Sequence, residues 1–211
     1  MLPTKQEFLN ALETRHGKAL QEKFSSTTVA ICGLGGLGSN VAIALARAGI
    51  GNLILIDFDS VDLTNIHRQQ YKINQIGMKK TDALKENILE ISLATKITTL
   101  CEKLTAENYF SFLNSADIIC ECFDAAETKA MLVDCVLETM PEKFIVAASG
   151  MAGIETANSI QTRKLTNHLY LCGDGITEVT ETVPLFAPRV MLCAAHQAQT
   201  VLRIVAEQID V

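Results

Sequence analysis

A glycine-rich loop carries the first residues whose types and spacing point to chemistry. Gly33, Gly35 and Gly38 match the pattern G-x-G-x-x-G, with Gly36 as an additional glycine, between a predicted strand and a predicted helix. Asp57 ends the next predicted strand. Glycines let the backbone approach a phosphate or a ribose, a helix N-terminus offers free N–H groups, and a carboxylate accepts from ribose hydroxyls. The pattern predicts a nucleotide site.

Charged residues further along distinguish a triphosphate from a dinucleotide. Ser39 and Asn40 stand where a P-loop would have Lys and Ser/Thr, so cations that neutralise phosphates must come from elsewhere. Arg68 provides a permanently charged fork, and Lys80 provides a point charge at the start of a predicted helix. Asp124 closes the fourth predicted parallel strand, at the sheet edge where ligands bind. A carboxylate beside phosphates is the usual protein part of a Mg²⁺ site, so ATP with Mg²⁺ is expected.

The elements that must position these residues follow an α/β rhythm. Short apolar runs alternate with helical patterns, which predicts a doubly wound, mostly parallel, Rossmann-like sheet. The predicted strands of this core span 28–32, 52–56, 96–101, 117–122 and 143–148, and the helices between them span 39–48, 77–93, 105–114 and 125–139.

Two further parts flank the parallel core. Apolar residues recur at helical spacing over 4–24, which predicts one leading helix. Two short strands, 159–165 and 168–172, are predicted to pair antiparallel before a final helix at 188–209. We therefore expect a single domain over 1–211, divided into an N-terminal helix (1–25), a parallel α/β core (26–150) and an antiparallel extension with the C-terminal helix (151–211).

Composition disfavours several classes of partner. The 211 residues carry 18 Lys+Arg against 24 Asp+Glu, a net charge of −6, and only 5% aromatic residues, which argues against nucleic acid. No apolar run reaches the roughly 20 residues of a membrane span, and no signal peptide is evident. The seven cysteines are scattered and form no Cys-x-x-Cys pair. This pattern predicts a cytoplasmic protein without zinc.

The segments 33–71, 77–80 (GMKK) and 121–124 (ECFD) together resemble the ThiF/MoeB/HesA family of ubiquitin-activating-like adenylyltransferases. The resemblance is clear over 26–150 and looser over 150–205, and the compact ending is most similar to the ThiF branch, which activates the sulfur carrier ThiS. It implies that ATP and the C-terminal glycine carboxylate of a small ubiquitin-like sulfur-carrier protein, ThiS-like, give an acyl adenylate and pyrophosphate, in thiamine biosynthesis.

The resemblance also implies roles for individual residues. It implies that Gly36 contacts the nucleotide and that Asp57 contacts the ribose. It implies that Asn65 and Arg68 contact the phosphates and that Lys80 contacts the α/β-phosphate region. It implies that Asp124 binds Mg²⁺. The residues expected to act in catalysis are Arg68, Lys80 and Asp124, by placement and by neutralisation of charge at the attacked phosphorus.

The resemblance also raises the question of a role for Arg15 and for Cys172, which are not among the nucleotide-binding residues. Relatives are homodimers in which an N-terminal arginine reaches the partner's ATP, and Arg15 is the candidate here. Larger relatives use a late cysteine to take the acyl group. Cys172 stands at about that place, although we favour its interpretation as a core cysteine at a strand end.

Alternative functions share parts of the same pattern. An NAD(P)-dependent oxidoreductase would use the glycine loop and Asp57, but it gives no reason for Arg68, Lys80 and Asp124, and the chain has no Tyr-x-x-x-Lys pair. A non-catalytic scaffold for a carrier protein would not need every phosphate-handling position filled. Activation of a MoaD-like carrier and a tRNA-modifying relative with the same chemistry also remain, the latter disfavoured by the net charge.

Overall fold

One seven-stranded sheet forms the centre of the molecule. The computed structural model describes residues 2–210, and its strands lie in the order β3-β2-β1-β4-β5-β7-β6. All neighbouring strands are parallel except β6 and β7, which pair antiparallel. The predicted α/β fold and its antiparallel extension are confirmed. The strands are β1 Thr28–Cys32, β2 Asn52–Ile56, β3 Lys96–Leu100, β4 Ile118–Glu121, β5 Phe144–Ala148, β6 Gln161–Lys164 and β7 Leu169–Gly173.

Helices cover both faces of this sheet. Alternate residues of β1 enter different apolar layers, because side chains alternate across a strand. Val29 and Ile31 pack in the layer that contains residues of α3 (Gly36–Arg47) and α7 (Ala187–Val205), whereas Ala30 and Cys32 pack in the layer of α5 (Tyr109–Leu113) and α6 (Ala126–Thr139). The helices are α1 Lys5–His16, α2 Lys18–Ser26, α3 Gly36–Arg47, α4 Lys80–Leu89, α5 Tyr109–Leu113, α6 Ala126–Thr139 and α7 Ala187–Val205, with 3₁₀ turns at Ile73–Gln75 and Ala157–Ser159.

The N-terminal segment differs from its prediction. Gly17 has φ 83° and ψ 143°, which lies outside the helical region and divides the predicted single leading helix into α1 and α2. α1 has no buried residue, whereas α2 buries Gln21 and Phe24. The Gln21 side chain donates to the carbonyl of Gly49 at 3.0 Å and so attaches α2 to the turn after α3.

Glycine also sets the start of α4. The predicted helix over 77–93 is observed only over Lys80–Leu89, because Gly77 has a positive φ of 88° and the residue before the helix, Lys79, is extended, with φ −61° and ψ 134°. The helix start therefore coincides with the lysine that the sequence assigns to phosphates. Across residues 2–210, none of the helices has both the length and the apolar character needed to cross a membrane.

Candidate nucleotide site

The glycine loop connects β1 to α3 and depends on close backbone contacts. Gly33 has φ 90°, and a Cβ there would lie 2.8 Å from the carbonyl oxygen of Cys122. A Cβ at Gly38 would lie 1.9 Å from the carbonyl oxygen of Gly33. Larger residues at these two positions would force the loop and the first turn of α3 apart. These glycines therefore set the shape of the loop.

Gly35, in the middle of the loop, has open space at its Cβ position, whereas a Cβ at Gly36 would lie 2.9 Å from the Val190 side chain. α3 begins at Gly36, and its cap residue Gly35 provides no side-chain hydrogen bond to the first turn. In the described part of the chain, and apart from the chain neighbours of Gly35, the only atom within 4 Å of a Cβ built at Gly35 is the side-chain nitrogen of Gln69. An uncapped N-terminus with free N–H groups and a positive dipole end is suited to bind an anion.

Asp57 lies at the carboxyl end of β2 beside this loop. One carboxylate oxygen accepts from the N–H of Leu34 at 2.7 Å and the other accepts from the N–H of Asp59 at 2.8 Å. Its residue surface is only 8% exposed. An ionised carboxylate has about four acceptor positions, so two of them are left for a ligand hydroxyl or a cation.

Lys80 lies close to Asp57, as the sequence predicted for phosphate binding, but it is paired. Its Nζ donates to a carboxylate oxygen of Asp59 at 2.8 Å and lies 3.7 Å from that of Asp57. The backbone N–H of Lys80 also donates to the carbonyl of Asp59 at 3.0 Å. Asp59 was given no role from the sequence. It is the residue that sets the position of the ammonium group.

The side chains of Asn65 and Arg68 are hydrogen-bonded to each other, and Arg68 lies beside the loop. Arg68 donates to the side-chain oxygen of Asn65 at 2.7 Å, and its Cγ lies 3.5 Å from the Cβ position of Gly36. Burial lowers the pKa of the Arg68 guanidinium, and the negative charge of Asp124 opposes this shift. The guanidinium Nε is buried without a hydrogen-bond partner among residues 2–210. The structure thus places Arg68 against the glycine loop with donor capacity remaining.

Asp124 is exposed in the loop just after β4. The described residues contain no group of three or more His, Cys, Asp or Glu that could hold a metal by itself. Mg²⁺ at phosphate-binding sites usually takes one or two carboxylates, with substrate oxygens and water completing its shell. The exposed Asp124 carboxylate fits that kind of site.

A largely buried ion pair at the end of β4 was not predicted from the sequence. Lys129 on α6 donates to both carboxylate oxygens of Glu121, at 3.0 and 2.9 Å, and to the carbonyl of Ala148 at 3.0 Å. Glu121 also accepts from the N–H of Phe123 at 2.7 Å. Burial raises the pKa of Glu121, and Lys129 acts against that shift. This pair shapes the turn that leads to Asp124. The sequence does contain a signal for this pair, because Glu121 is an acidic residue within an apolar strand.

Cys172 and Arg15 lie apart from this cluster. Cys172 is fully buried, 3.6 Å from the hydroxyl of Thr162 and 3.9 Å from that of Thr200, and burial raises the pKa of its thiol. These surroundings agree with a core cysteine, because a nucleophilic thiol needs access and a lowered pKa. Arg15 is exposed in the last turn of α1.

Comparison with known proteins agrees with this geometry. The model of the ThiF family matches residues 9–210. The chain belongs to the ThiF family. Its likeness to the family thus extends beyond the parallel core into the antiparallel strands and α7.

Two curated relatives of this ThiF-family chain carry different names. It is 35% identical over 136 residues to the adenylyltransferase and sulfurtransferase MOCS3 of Drosophila virilis, a match that spans 64% of this chain and 30% of that protein. It is 33% identical over 139 residues to the tRNA threonylcarbamoyladenosine dehydratase of Bacillus subtilis, spanning 64% of this chain and 54% of that protein. The chain thus matches less than two thirds of the length of either relative.

Solved structures share the fold. The E. coli tRNA N6-threonylcarbamoyladenosine dehydratase TcdA, solved in complex with ATP, superposes with a TM-score of 0.86 over 96% of this chain and 95% of that chain, at 19% identity. E. coli MccB with ATP gives a TM-score of 0.68 over 89% of this chain and 58% of that chain, at 22% identity. At these identities the likeness describes the ThiF-type fold and not a shared substrate.

Proposed function

We propose that this ThiF-family protein binds ATP with Mg²⁺ and adenylates a carboxylate. The observation that carries the proposal is the convergence of cations on the glycine loop: Arg68 lies against Gly36, and Lys80 lies beside Asp57. A dinucleotide needs little charge beyond the loop itself, whereas a triphosphate needs these cations. The ATP-bound fold neighbours agree with a nucleotide of this kind.

The proposed reaction is an in-line displacement at the α-phosphorus. A carboxylate oxygen of the substrate attacks the α-phosphorus, the bond to the bridging oxygen of the β-phosphate breaks, and pyrophosphate leaves. The substrate carboxylate is itself the nucleophile, so the protein contributes placement and charge neutralisation. Arg68 and Lys80 would bind phosphate oxygens, Asn65 would orient Arg68, and Asp57 would accept from the ribose. Mg²⁺ bound by Asp124 would neutralise charge on the leaving pyrophosphate.

The first candidate substrate is the C-terminal glycine carboxylate of a small ubiquitin-like sulfur carrier. The sequence match to a protein named adenylyltransferase and sulfurtransferase agrees with this class. The relatives do not single out thiamine biosynthesis, so a ThiS-like and a MoaD-like carrier stand as equal members of the class.

We propose that residues 1–211 act as one adenylyltransferase unit and that two copies form a homodimer.

A second candidate is a tRNA-borne threonylcarbamoyladenosine, whose carboxylate the same chemistry would activate. The observation that favours it is the match to a dehydratase of that name in sequence, and the shared fold over almost the whole chain. The net charge of −6 and the 5% aromatic content weigh against a tRNA partner.

ATP–pyrophosphate exchange tests the proposal and separates the candidates. Exchange that requires a ubiquitin-like carrier, and fails with a carrier lacking its last glycine, indicates the first substrate class. Exchange that requires tRNA bearing threonylcarbamoyladenosine indicates the second. Tight NADH binding without ATP binding, seen as a change in NADH fluorescence, would overturn the proposal in favour of an oxidoreductase.

A further inference from the structure

A buried ion pair holds the base of the long loop between β7 and α7. Arg189, in the first turn of α7, donates from one guanidinium nitrogen to a carboxylate oxygen of Asp174 at 2.6 Å. Both side chains are only 6% exposed. Burying two charges is costly unless their remaining hydrogen bonds are satisfied, so the partners of this pair indicate what it does.

Asp174 fixes the chain that leaves β7. The oxygen that pairs with Arg189 also accepts from the hydroxyl of Thr177 at 2.8 Å. The other oxygen accepts from the N–H groups of Ile176 and Thr177, both at 2.8 Å. A Cβ at Gly150 would collide with that second oxygen, so the carboxylate packs directly onto the chain that leaves β5.

Arg189 attaches a second stretch of chain with its other terminal nitrogen. That nitrogen donates to the carbonyls of Glu155 at 2.8 Å and Thr156 at 3.0 Å. The long loop is also attached near its far end, because the N–H of Gly153 donates to the carbonyl of Pro184 at 2.9 Å. Arg189 and Asp174 therefore form a clamp, which joins the loops that follow β5 and β7.

The clamp lies beside the nucleotide site. Val190, the next residue, has its side chain 2.9 Å from the Cβ position of Gly36 in the glycine loop. β4, β5 and β7 are parallel neighbours, so the clamped loops leave the sheet at the same edge as Asp124. In the proposed function the ribose lies beside Asp57 at the end of β2. The side of β5 and β7 is then left for the substrate that brings the carboxylate.

The loop held by the clamp presents apolar side chains to solvent. Residues 178–182 are exposed, and Ile176 and Val179 are 83% and 62% exposed. Exposed large apolar side chains grouped on one loop are typical of surfaces that bind another protein. The loop also carries Glu178 and Glu181, which would repel the phosphates of a tRNA. It is therefore suited to a protein and not to a nucleic acid.

We propose that Arg189 is a positioning residue for a protein acyl substrate. By fixing the base of the loop over 174–186, its guanidinium holds Ile176 and Val179 where they contact the carrier whose C-terminal carboxylate is adenylated. Arg189 is buried and acts through the loop. This inference rests on the proposed function and selects its first substrate class.

Arg189→Lys tests the clamp directly. Lysine keeps a positive charge beside Asp174, but its single nitrogen does not span the carboxylate and the two carbonyls as a guanidinium does. We expect a glutamate-specific protease to cleave after Glu178 and Glu181 roughly tenfold faster than in the wild-type protein, because one charge-assisted hydrogen bond no longer opposes local opening. Mass spectrometry identifies the sites, and cleavage after the exposed Glu102 is the internal reference.

Two further variants separate the clamp from general folding. Thr177→Val removes a hydroxyl that donates to Asp174 and accepts from the N–H of Ala152 at 3.2 Å, so it should also speed cleavage at the two sites. Arg203→Lys is the matched control, because Arg203 lies on the same helix and donates to the carbonyl of Asp210, outside the loop. Its cleavage rate should equal that of the wild-type protein.

Pyrophosphate exchange with a ubiquitin-like carrier tests the role in substrate binding. Arg189→Lys should raise the KM for the carrier by roughly tenfold and leave kcat and the Kd for ATP within about threefold, because the loop contacts the carrier equally before and during the reaction. A merely structural role would lower the melting temperature without this split between KM and kcat.

The outcomes separate this inference from the proposed function. Cleavage of Arg189→Lys at the wild-type rate overturns the clamp. Faster cleavage with an unchanged KM for the carrier, or exchange that requires tRNA instead, overturns the role in binding a protein while adenylation stands. If the wild-type protein binds no ATP, the proposed function and the substrate role are both overturned, and the cleavage rates still decide whether Arg189 fixes the loop.

Discussion

The ammonium group of Lys80 donates to the carboxylate of Asp59 over 2.8 Å while the Lys80 side chain is only 8% exposed. A lysine assigned to phosphates is thus held in a fixed place before any ligand arrives. Preorganised charge of this kind is a main source of rate enhancement, because no reorganisation is needed as charge develops.

Lys80→Ala should therefore affect both catalysis and stability. We expect pyrophosphate exchange to fall by about 10²–10³-fold. We also expect the free energy of unfolding to fall by about 1–3 kcal/mol, because the nearby Asp57 carboxylate, almost buried, loses its cation. Exchange kinetics and urea denaturation measure the two effects.

The neighbouring lysine provides the control. Lys79 is exposed and donates to the carbonyl of Phe58. Lys79→Ala should leave exchange near the wild-type rate and change stability by no more than about 0.5 kcal/mol. Equal losses of exchange in the two variants would contradict a specific role for Lys80.

Asp124→Asn should weaken the response to Mg²⁺ without affecting the fold. Losing one charged ligand is expected to raise the Mg²⁺ concentration needed for half-maximal exchange by roughly 10–100-fold. Excess Mg²⁺ should restore part of the rate, and EDTA should leave the melting temperature unchanged, because Asp124 is exposed.

The control is Asp134→Asn, which changes an exposed acidic residue on α6. A large drop in melting temperature with EDTA would indicate a structural metal and would contradict the prediction of no zinc.

Lys129→Met should destabilise the protein in a pH-dependent way. It leaves the carboxylate of Glu121 buried without its cation, which raises the pKa of Glu121 further above its value in the unfolded chain. A carboxyl group with a raised folded pKa contributes its stability at low pH and loses it as the pH rises through that pKa. We expect a loss of about 3 kcal/mol at pH 8 and a smaller loss at pH 5.

Urea denaturation at the two pH values measures this difference. Lys72→Met is the control, since Lys72 pairs with Glu90 at the surface with 48% and 61% of their side chains exposed. Its effect should stay below about 1 kcal/mol at both pH values. A loss from Lys129→Met that is independent of pH would show that Glu121 does not respond to the loss of its cation.

Light scattering at micromolar concentration tests the proposed homodimer. α1 has no buried residue although it carries Phe8, Leu9 and Leu12, so its apolar side chains lack a full cover within one copy. We expect a mass about twice the 23.0 kDa of one chain. A monomer that persists on concentration would contradict the dimer, and with it any action of Arg15 on a partner's nucleotide.

The sequence predicted the elements whose signals are local. β1 and β2 have the predicted bounds because short uninterrupted apolar runs mark buried parallel strands. The glycine loop and Asp57 lie where the strand–loop–helix pattern requires. The break at Gly17 was missed because apolar residues on both sides keep helical spacing, although one glycine with a positive φ is enough to end a helix.

The side-chain partners at the site could not be predicted in the same way. The pairing of Lys80 with Asp59 and of Lys129 with Glu121 depends on how helices pack onto strand ends. The spacing in the sequence indicates which charged residues lie near a ligand. Which of these residues already form ion pairs depends on the tertiary fold.

The outer strands of the sheet have a consequence for behaviour at high concentration. β6 (Gln161–Lys164) carries Arg163 and Lys164 on one border, and β3 carries Lys96 on the other. Charged side chains on border strands discourage another chain from adding a strand, which is a common first step towards aggregation. Growth of the sheet by pairing of border strands from two molecules is thereby disfavoured.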